Sequence, residues 1–175
     1  KYDSRDAKVY SLILLAKNFN GYKNLIQLTT RAYLDGNVGS KPQLDFPTLE
    51  KYSSDLIALS GDLTSELAQH VISGKDNAFL LERISYYQKV FGKEYYFLEI
   101  GEHPDRGSQG AYNQRLVELS RLSGVPLVGT NDVHYARIED AEAQDFLSCI
   151  GSGRRLDDPD RKTLIDGNYA LDRKS

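Results

Sequence analysis

Apolar and polar positions along this chain follow two alternating patterns, which predict strands separated by helices. Short, nearly continuous apolar runs with β-branched or aromatic members occur four times, at residues 9–16, 55–60, 95–100 and 125–130. Runs of this length and composition are typical of strands buried in a parallel sheet. The sequence therefore predicts four strands.

Between these runs, apolar residues recur at helical spacing. Leu80, Ile84, Tyr87 and Phe91 follow Asp76, which is a favoured helix N-cap residue. On the same grounds we predict the other helices at 18–34, around 49–52, between Leu63 and Gly74, between Ser108 and Gly124, and around Ala143, Phe146 and Ile150. Residues 37–47 are predicted to be a loop.

Repeated strand–helix units predict an α/β fold with parallel strands and right-handed helical crossovers. Four strands are too few for an eight-stranded barrel but enough for half of one, and an open doubly wound sheet is the alternative. In both architectures ligands bind at the carboxyl ends of the strands. Candidate chemistry is therefore expected in the residues that directly follow each strand.

The clearest candidates follow the run at 125–130. Residues two apart in extended chain point to the same side, so Asp132 and His134 are expected to face one site while Val133 turns away. A carboxylate and an imidazole are ligand types that zinc and similar ions accept. The alternative is that Asp132 makes a turn and His134 is a polar loop residue.

Three further residues lie near strand ends. Asp62 follows the run at 55–60 and is either a metal ligand or the N-cap of the next helix. Glu99 lies near the end of the run at 95–100, either at the mouth of a site or in a salt bridge. His103 follows in a predicted loop, where a surface histidine is the alternative. His70, inside a helix, is expected to be exposed.

Composition narrows the classes of function. The 175 residues include 22 basic and 25 acidic side chains, a net charge of −3, which excludes a generally basic nucleic-acid coat and a polybasic membrane module. No apolar stretch is long enough to predict a membrane-spanning helix. One cysteine cannot form an internal disulfide and fits a reducing compartment. The chain begins at Lys1 and contains no methionine, so we expect a processed chain or a piece of a longer one.

Five segments carry a family resemblance. They are LLAKNFNGYKNLIQLTTRAYLDG (14–36), LIALSG (56–61), YYFLEI (95–100), GVPLVGTNDVHY (124–135) and EDAEAQDFLSCIGSG (139–153). In order and spacing they resemble the amino-terminal PHP (polymerase and histidinol phosphatase) domain of the bacterial DNA polymerase III alpha-subunit family. The resemblance implies a distorted seven-stranded β/α barrel, of which residues 1–153 are the carboxyl-side portion and residues 154–175 a charged tail or linker.

The resemblance also implies a site. Its Asp-x-His ligand pair matches Asp132 and His134, and divalent zinc, manganese or magnesium is the implied cofactor. Asp62 stands where many relatives carry a cysteine, a change that favours a different ion. The family's His-x-His motif is absent from these residues.

Three functions follow from the resemblance. In the first, the resemblance implies that the domain is part of a cytoplasmic replicative DNA polymerase, with DNA and other replicase subunits as partners, and is expected to give it metal-dependent 3′–5′ exonuclease activity. In the second, it is a scaffold that docks a separate proofreading exonuclease subunit. The alternative is a free-standing phosphoesterase acting on a small phosphate monoester.

Overall fold

The computed structural model describes residues 8–38, 41–101, 108–161, 163–165 and 169–171. The chain divides into two compact units, the first comprising Lys1–Ile100 and Gln114–Val128 and the second Gly101–Asn113 and Gly129–Ser175. The strands are β1 (Ile13–Ala16), β2 (Asn37–Val38), β3 (Lys41–Pro42), β4 (Leu56–Leu59), β5 (Tyr96–Gly101) and β6 (Leu127–Thr130). The helices are α1 (Phe19–Leu34), α2 (Phe46–Lys51), α3 (Glu66–Ile72), α4 (Asn77–Phe91), α5 (Gln109–Ser123) and α6 (Ala141–Ser152), with a 3-10 helix at Ile138–Asp140.

Four strands form one sheet in the order β1-β4-β5-β6. Strands β4 and β5 are parallel, with Ala58 opposite Tyr96, and α3 and α4 lie between them in the chain. Next to β5, the main-chain N–H of Leu98 donates to the carbonyl of Pro126, 3.0 Å away. The predicted α/β class is confirmed, and the four predicted apolar runs all contribute strands.

Strand β1 departs from the prediction of parallel strands. It pairs with β4 in the antiparallel direction, with Ile13 opposite Leu59. The prediction placed a helix, a loop and a short helix between the first two strands and inferred parallel strands from the strand–helix repeat. In the structure the β2–β3 pair forms within the predicted loop, and the chain enters β4 in the direction opposite to β1. Leu15 on β1 is 48% exposed, so this strand is not buried as its apolar run predicted.

The core of the first unit forms where β4 and β5 meet α4. Leu56 and Ala58 on β4 and Leu80 and Ile84 on α4 are fully buried. Asp76 caps α4 as predicted, because its carboxylate accepts the Phe79 N–H at 2.9 Å. The four apolar positions that predicted α4 are all buried.

Helix α1 begins as predicted at Asn18, whose side-chain carbonyl accepts the N–H groups of Asn20 and Gly21. Gly21 lies directly against the residue that precedes β4. A Cβ atom placed on Gly21 would stand 2.1 Å from the carbonyl oxygen of Asp55. Only glycine allows the first turn of α1 to approach this closely.

Two predictions about local structure were wrong. Part of the predicted loop at 37–47 forms the antiparallel β2–β3 pair, which is too short to show a sequence periodicity, and α2 begins within it at Phe46. Helix α6 exists as predicted, but its marker residues Phe146 and Ile150 are exposed. Its buried residues are Ala141, Asp145 and Cys149.

The buried face of α6 includes a charged residue, because Asp145 forms an ion pair. Its carboxylate, 2% exposed as a side chain, accepts from the Arg161 guanidinium at 2.8 Å. The pair attaches the start of the charged segment after α6 to that helix. Periodicity of apolar residues alone therefore identified the helix but pointed to the wrong face.

Candidate metal centre

Asp132 and His134 lie just after β6, which ends at Thr130, and the structure brings their side chains together. The distance from Asp132 Oδ1 to His134 Nε2 is 3.3 Å. Both side chains are partly exposed, at 39% and 38% respectively. The pair is therefore open to solvent and to a ligand on one side.

The loop that carries this pair is held by a distant segment of the same unit. The main-chain N–H of His134 donates to the carbonyl of Tyr169 at 2.9 Å. The Asn131 side-chain amide donates to the carbonyl of Ala170, also at 2.9 Å. The imidazole of His134 meets the Tyr169 ring edge-on, with centroids 5.3 Å apart and planes at 82°.

The donor pair fits one divalent ion. Two ligands bound about 2.0–2.1 Å from a tetrahedral zinc ion are about 3.3 Å apart, which follows from the bond lengths and the tetrahedral angle. The observed separation of Asp132 Oδ1 and His134 Nε2 is 3.3 Å. One oxygen and one nitrogen donor also suit zinc and manganese by ligand type. Asp132 and His134 are thus the side chains that would hold an ion here.

Asp62 is engaged by its own neighbours. Its Oδ1 accepts the Thr64 N–H at 2.9 Å, the Thr64 hydroxyl at 2.6 Å and the Ser11 hydroxyl at 3.3 Å. The cap of α3 is Ser65, whose hydroxyl accepts the Ala68 N–H, so the alternative of Asp62 as the N-cap was wrong. Asp62 instead forms an Asx-turn, in which its side chain accepts the main-chain N–H two positions further along. Its role as a ligand stays a prediction.

Glu99 lies in β5 and is 8% exposed. Its main-chain N–H donates to the Ser60 hydroxyl at 2.9 Å, which joins the carboxyl-terminal parts of β4 and β5. His103 lies outside the described residues. Across the described ranges, no group of three or more His, Cys, Asp or Glu side chains is arranged to hold a metal. The described part of the chain thus offers a pair of donors.

Sequence reasoning missed a buried charged cluster in the first unit. Glu66, 8% exposed, accepts from the Arg83 guanidinium at 2.9 Å and from the Tyr87 hydroxyl at 2.6 Å. His70 Nε2 lies 3.6 Å from the same carboxylate, and the side chain is largely buried rather than exposed as expected. Burial is the main cause that raises the pKa of Tyr87 far above its ordinary value, and the hydrogen bond to Glu66 raises it further.

The sequence held a faint signal for this cluster, because Glu66 and His70 are four residues apart on one helix. A pair at that spacing is most often a solvent-exposed one. Nothing in the periodicity indicates that Arg83 and Tyr87 of α4 cover it.

Among the residues that the structure describes, no helix combines the length and the apolar character that crossing a membrane requires.

Comparison with known proteins supplies the family. Residues 1–103 match the PHP domain. The chain is 42% identical over 98% of its length to the DNA polymerase III subunit alpha of Borreliella burgdorferi, and it spans 15% of that protein. It is 39% identical over 94% of its length to the same subunit of Treponema pallidum and 42% identical over 89% to that of Thermus aquaticus, spanning 14% and 12% of them. The matched residues cover more than half of the chain, and on this basis it belongs to the PHP domain family.

Proposed function

We propose that this chain is part of the PHP domain of a bacterial replicative DNA polymerase and that Asp132 and His134 bind a divalent metal ion there. Three polymerase III alpha subunits resemble it over 89–98% of its length, which supports the assignment to a polymerase. The proposal also includes template-directed DNA synthesis by the parent protein, DNA and other replicase subunits as partners, and a cytoplasmic location. These properties are proposed rather than observed because the chain spans only 12–15% of these relatives.

The observation that carries the metal proposal is the 3.3 Å separation of Asp132 Oδ1 and His134 Nε2 on a partly exposed loop. An ion at such a site offsets negative charge on a phosphate group. That chemistry suits 3′–5′ exonuclease activity, in which a terminal phosphodiester of DNA is cleaved. Asp62 is proposed separately as a less favoured metal ligand, and Glu99 in β5 as a residue at the mouth of a site.

We also propose that the sheet is part of a seven-stranded barrel. Strand β1 supports this, because Leu15 and Ile13 are 48% and 37% exposed on a strand at the edge of the β1-β4-β5-β6 sheet. An edge strand with exposed apolar side chains is normally paired or covered. Strands from the remainder of the parent protein would pair with it.

The metal proposal is tested on the full-length parent protein and two variants. Asp132→Ala removes a ligand, whereas Asp157→Ala removes an acidic side chain that is 75% exposed in the same unit. Bound zinc and manganese are measured by elemental analysis after gel filtration, and release of nucleotides from DNA 3′ ends is assayed in the same preparations. We expect Asp132→Ala to lose metal and nuclease activity, and Asp157→Ala to keep both.

Equal metal content in the wild type and Asp132→Ala would reject the metal site. If Asp132→Ala loses metal but the wild type itself shows no nuclease activity, the ion has a structural role and the exonuclease function is excluded. These two outcomes separate binding from catalysis.

A scaffold is the second candidate, and an exposed apolar stripe on α1 favours it. Phe19, Tyr22, Ile26 and Tyr33 recur on one side of this helix and are 68%, 52%, 45% and 58% exposed. Exposed apolar patches of this kind commonly mark protein interaction sites. The proposed occupant is the cognate proofreading exonuclease subunit.

Pull-down of that subunit by the parent protein tests the scaffold. Ile26→Glu is expected to weaken binding at least tenfold because it places a charge in the stripe. Gln27→Glu, an exposed neighbour on the same helix, is the control. Unchanged binding in Ile26→Glu would exclude α1 as the docking surface. A free-standing phosphoesterase is disfavoured, because the three relatives described above are polymerase subunits.

A further inference from the structure

We propose that Tyr169 is a positioning residue that fixes the orientation of His134 at the metal site. The inference rests on the proposed function, in which His134 is a ligand. It concerns a residue that lies 35 positions further along the chain and is proposed to act on His134 rather than on the ion. Its role is to hold the imidazole where Nε2 faces the Asp132 carboxylate.

Tyr169 contacts His134 in two independent ways. The carbonyl of Tyr169 accepts the His134 main-chain N–H at 2.9 Å, which fixes the backbone of the ligand. The phenol ring meets the imidazole at 5.3 Å with an angle of 82° between the planes, an edge-on arrangement that aromatic rings favour. Together these contacts restrict both the position of the backbone and the rotation of the side chain.

Tyr169 is itself held rigidly, by Tyr135. The hydroxyl of Tyr135 accepts the Tyr169 N–H at 3.2 Å and lies 3.3 Å from the carbonyl of Leu164, to which it donates. Tyr135 and Ala170 also form a parallel bridge. Tyr135 and Tyr169 are each 6% exposed and belong to one small buried cluster with Ala141 and Ala170.

This arrangement matters because His134 is 38% exposed and belongs to an irregular segment after β6. An exposed histidine on such a segment samples several ring orientations, only some of which direct Nε2 at a shared ion. Residues that orient a metal-binding histidine typically change metal affinity by about 10- to 100-fold when they are removed. The Tyr169 ring and carbonyl supply that restriction here.

The experiment uses the full-length parent protein loaded with Co²⁺, whose visible absorption reports the geometry of its ligands. The difference spectrum between the wild type and Asp132→Ala isolates this site from other metal sites. Affinity is measured by Co²⁺ titration for Tyr169→Phe, which keeps the ring, and Tyr169→Leu, which removes it. Leu171→Ala, at a side chain 66% exposed in the same segment, is the control.

We expect Tyr169→Leu to bind Co²⁺ about tenfold more weakly, with shifted absorption bands. Tyr169→Phe and Leu171→Ala should resemble the wild type in affinity and spectrum. The shifted spectrum distinguishes positioning of the ligand from loss of packing, because it reports a changed ligand geometry at the ion, which loss of packing away from the ion would not produce. Wild-type affinity and spectrum in a folded Tyr169→Leu protein would overturn the inference while leaving the metal site intact.

Tyr135→Phe covers the case in which Tyr169→Leu does not fold. It keeps the buried ring but removes the hydroxyl that holds the Tyr169 N–H, so a smaller loss of affinity in the same direction is expected. Unchanged affinity in Tyr135→Phe would then overturn the inference. If the wild type shows no Asp132-dependent spectrum, the metal site and the positioning role both fall.

Discussion

Glu66 shows how this chain accommodates a charge in its interior. The carboxylate is 8% exposed and its Oε2 accepts two hydrogen bonds, from Arg83 at 2.9 Å and Tyr87 at 2.6 Å. The Arg83 guanidinium lies over the ring of Tyr86, 4.7 Å from its centroid. The charge is therefore paired, hydrogen-bonded and shielded by aromatic groups, as burial of an ion pair requires.

We predict that Arg83→Met lowers the free energy of unfolding by about 3 kcal/mol, because it leaves the Glu66 carboxylate buried without its cation. The measurement is denaturant-induced unfolding followed by circular dichroism. Arg31→Met is the matched control, since the Arg31–Asp35 pair spans 3.1 Å at side chains that are 48% and 62% exposed. A loss in Arg83→Met no greater than in Arg31→Met would show that the buried pair does not stabilise the fold.

For individual residues, the sequence predicted which side chains share a candidate site better than it predicted what surrounds each side chain. Asp132 and His134 were expected to share one side, and their side chains do meet. His70 was expected to be exposed, yet it contacts Glu66 and the ring of Phe79. The difference arises because α4 covers that side of α3, and a helical spacing contains no information about which neighbour a helix acquires.

Helix α2 illustrates stabilisation at the scale of an element. It has only six residues, so its ends matter more than its interior. Asp45 caps it by accepting the Thr48 N–H at 2.9 Å. The hydrogen bond from the Thr48 side chain lowers the pKa of Asp45 below its ordinary value, and the one from the Thr48 main-chain N–H lowers it further.

We predict a pH dependence of α2 that follows from this lowered pKa. The charged carboxylate stabilises the helix above the ordinary aspartate pKa of about 3.9, and this stabilisation is lost as the pH falls through the lower pKa of the folded state. Asp45→Ala should reduce the opening free energy of the Thr48 amide by about 1 kcal/mol at neutral pH. Hydrogen exchange measures this quantity directly.

Asp45→Asn is the control for the charge, because asparagine caps a helix without titrating. The difference between wild type and Asp45→Ala should shrink below about pH 3.9, whereas the difference between Asp45→Asn and Asp45→Ala should stay constant. A wild-type advantage that persists unchanged at low pH would contradict the ionised cap.

Elements were predictable from the sequence where local signals agree. For α4, the cap at Asp76 and the four apolar positions lead to the same helix and the same buried face. For α6 the helix was predicted but its face was not, because burial of Asp145 depends on Arg161, sixteen residues away. The direction of β1 was also unpredictable, since an apolar run fits a strand of either direction.

For the whole molecule, we propose that a chain of the PHP domain family binds a metal ion at the loop after β6. Alternation along the chain predicted that Asp132 and His134 lie on one side of that loop. Their support by Tyr169 and Ala170 was not, because no periodicity connects positions that are more than thirty residues apart. Long-range contacts of this kind are set by the complete fold.

Anomalous X-ray diffraction from crystals of the parent protein grown with Mn²⁺ detects an ion at this loop. We predict an anomalous peak about 2.0–2.3 Å from both Asp132 Oδ1 and His134 Nε2, and its loss in crystals of Asp132→Ala. If the two side chains contact each other directly and no peak lies between them at saturating Mn²⁺, the metal site is contradicted.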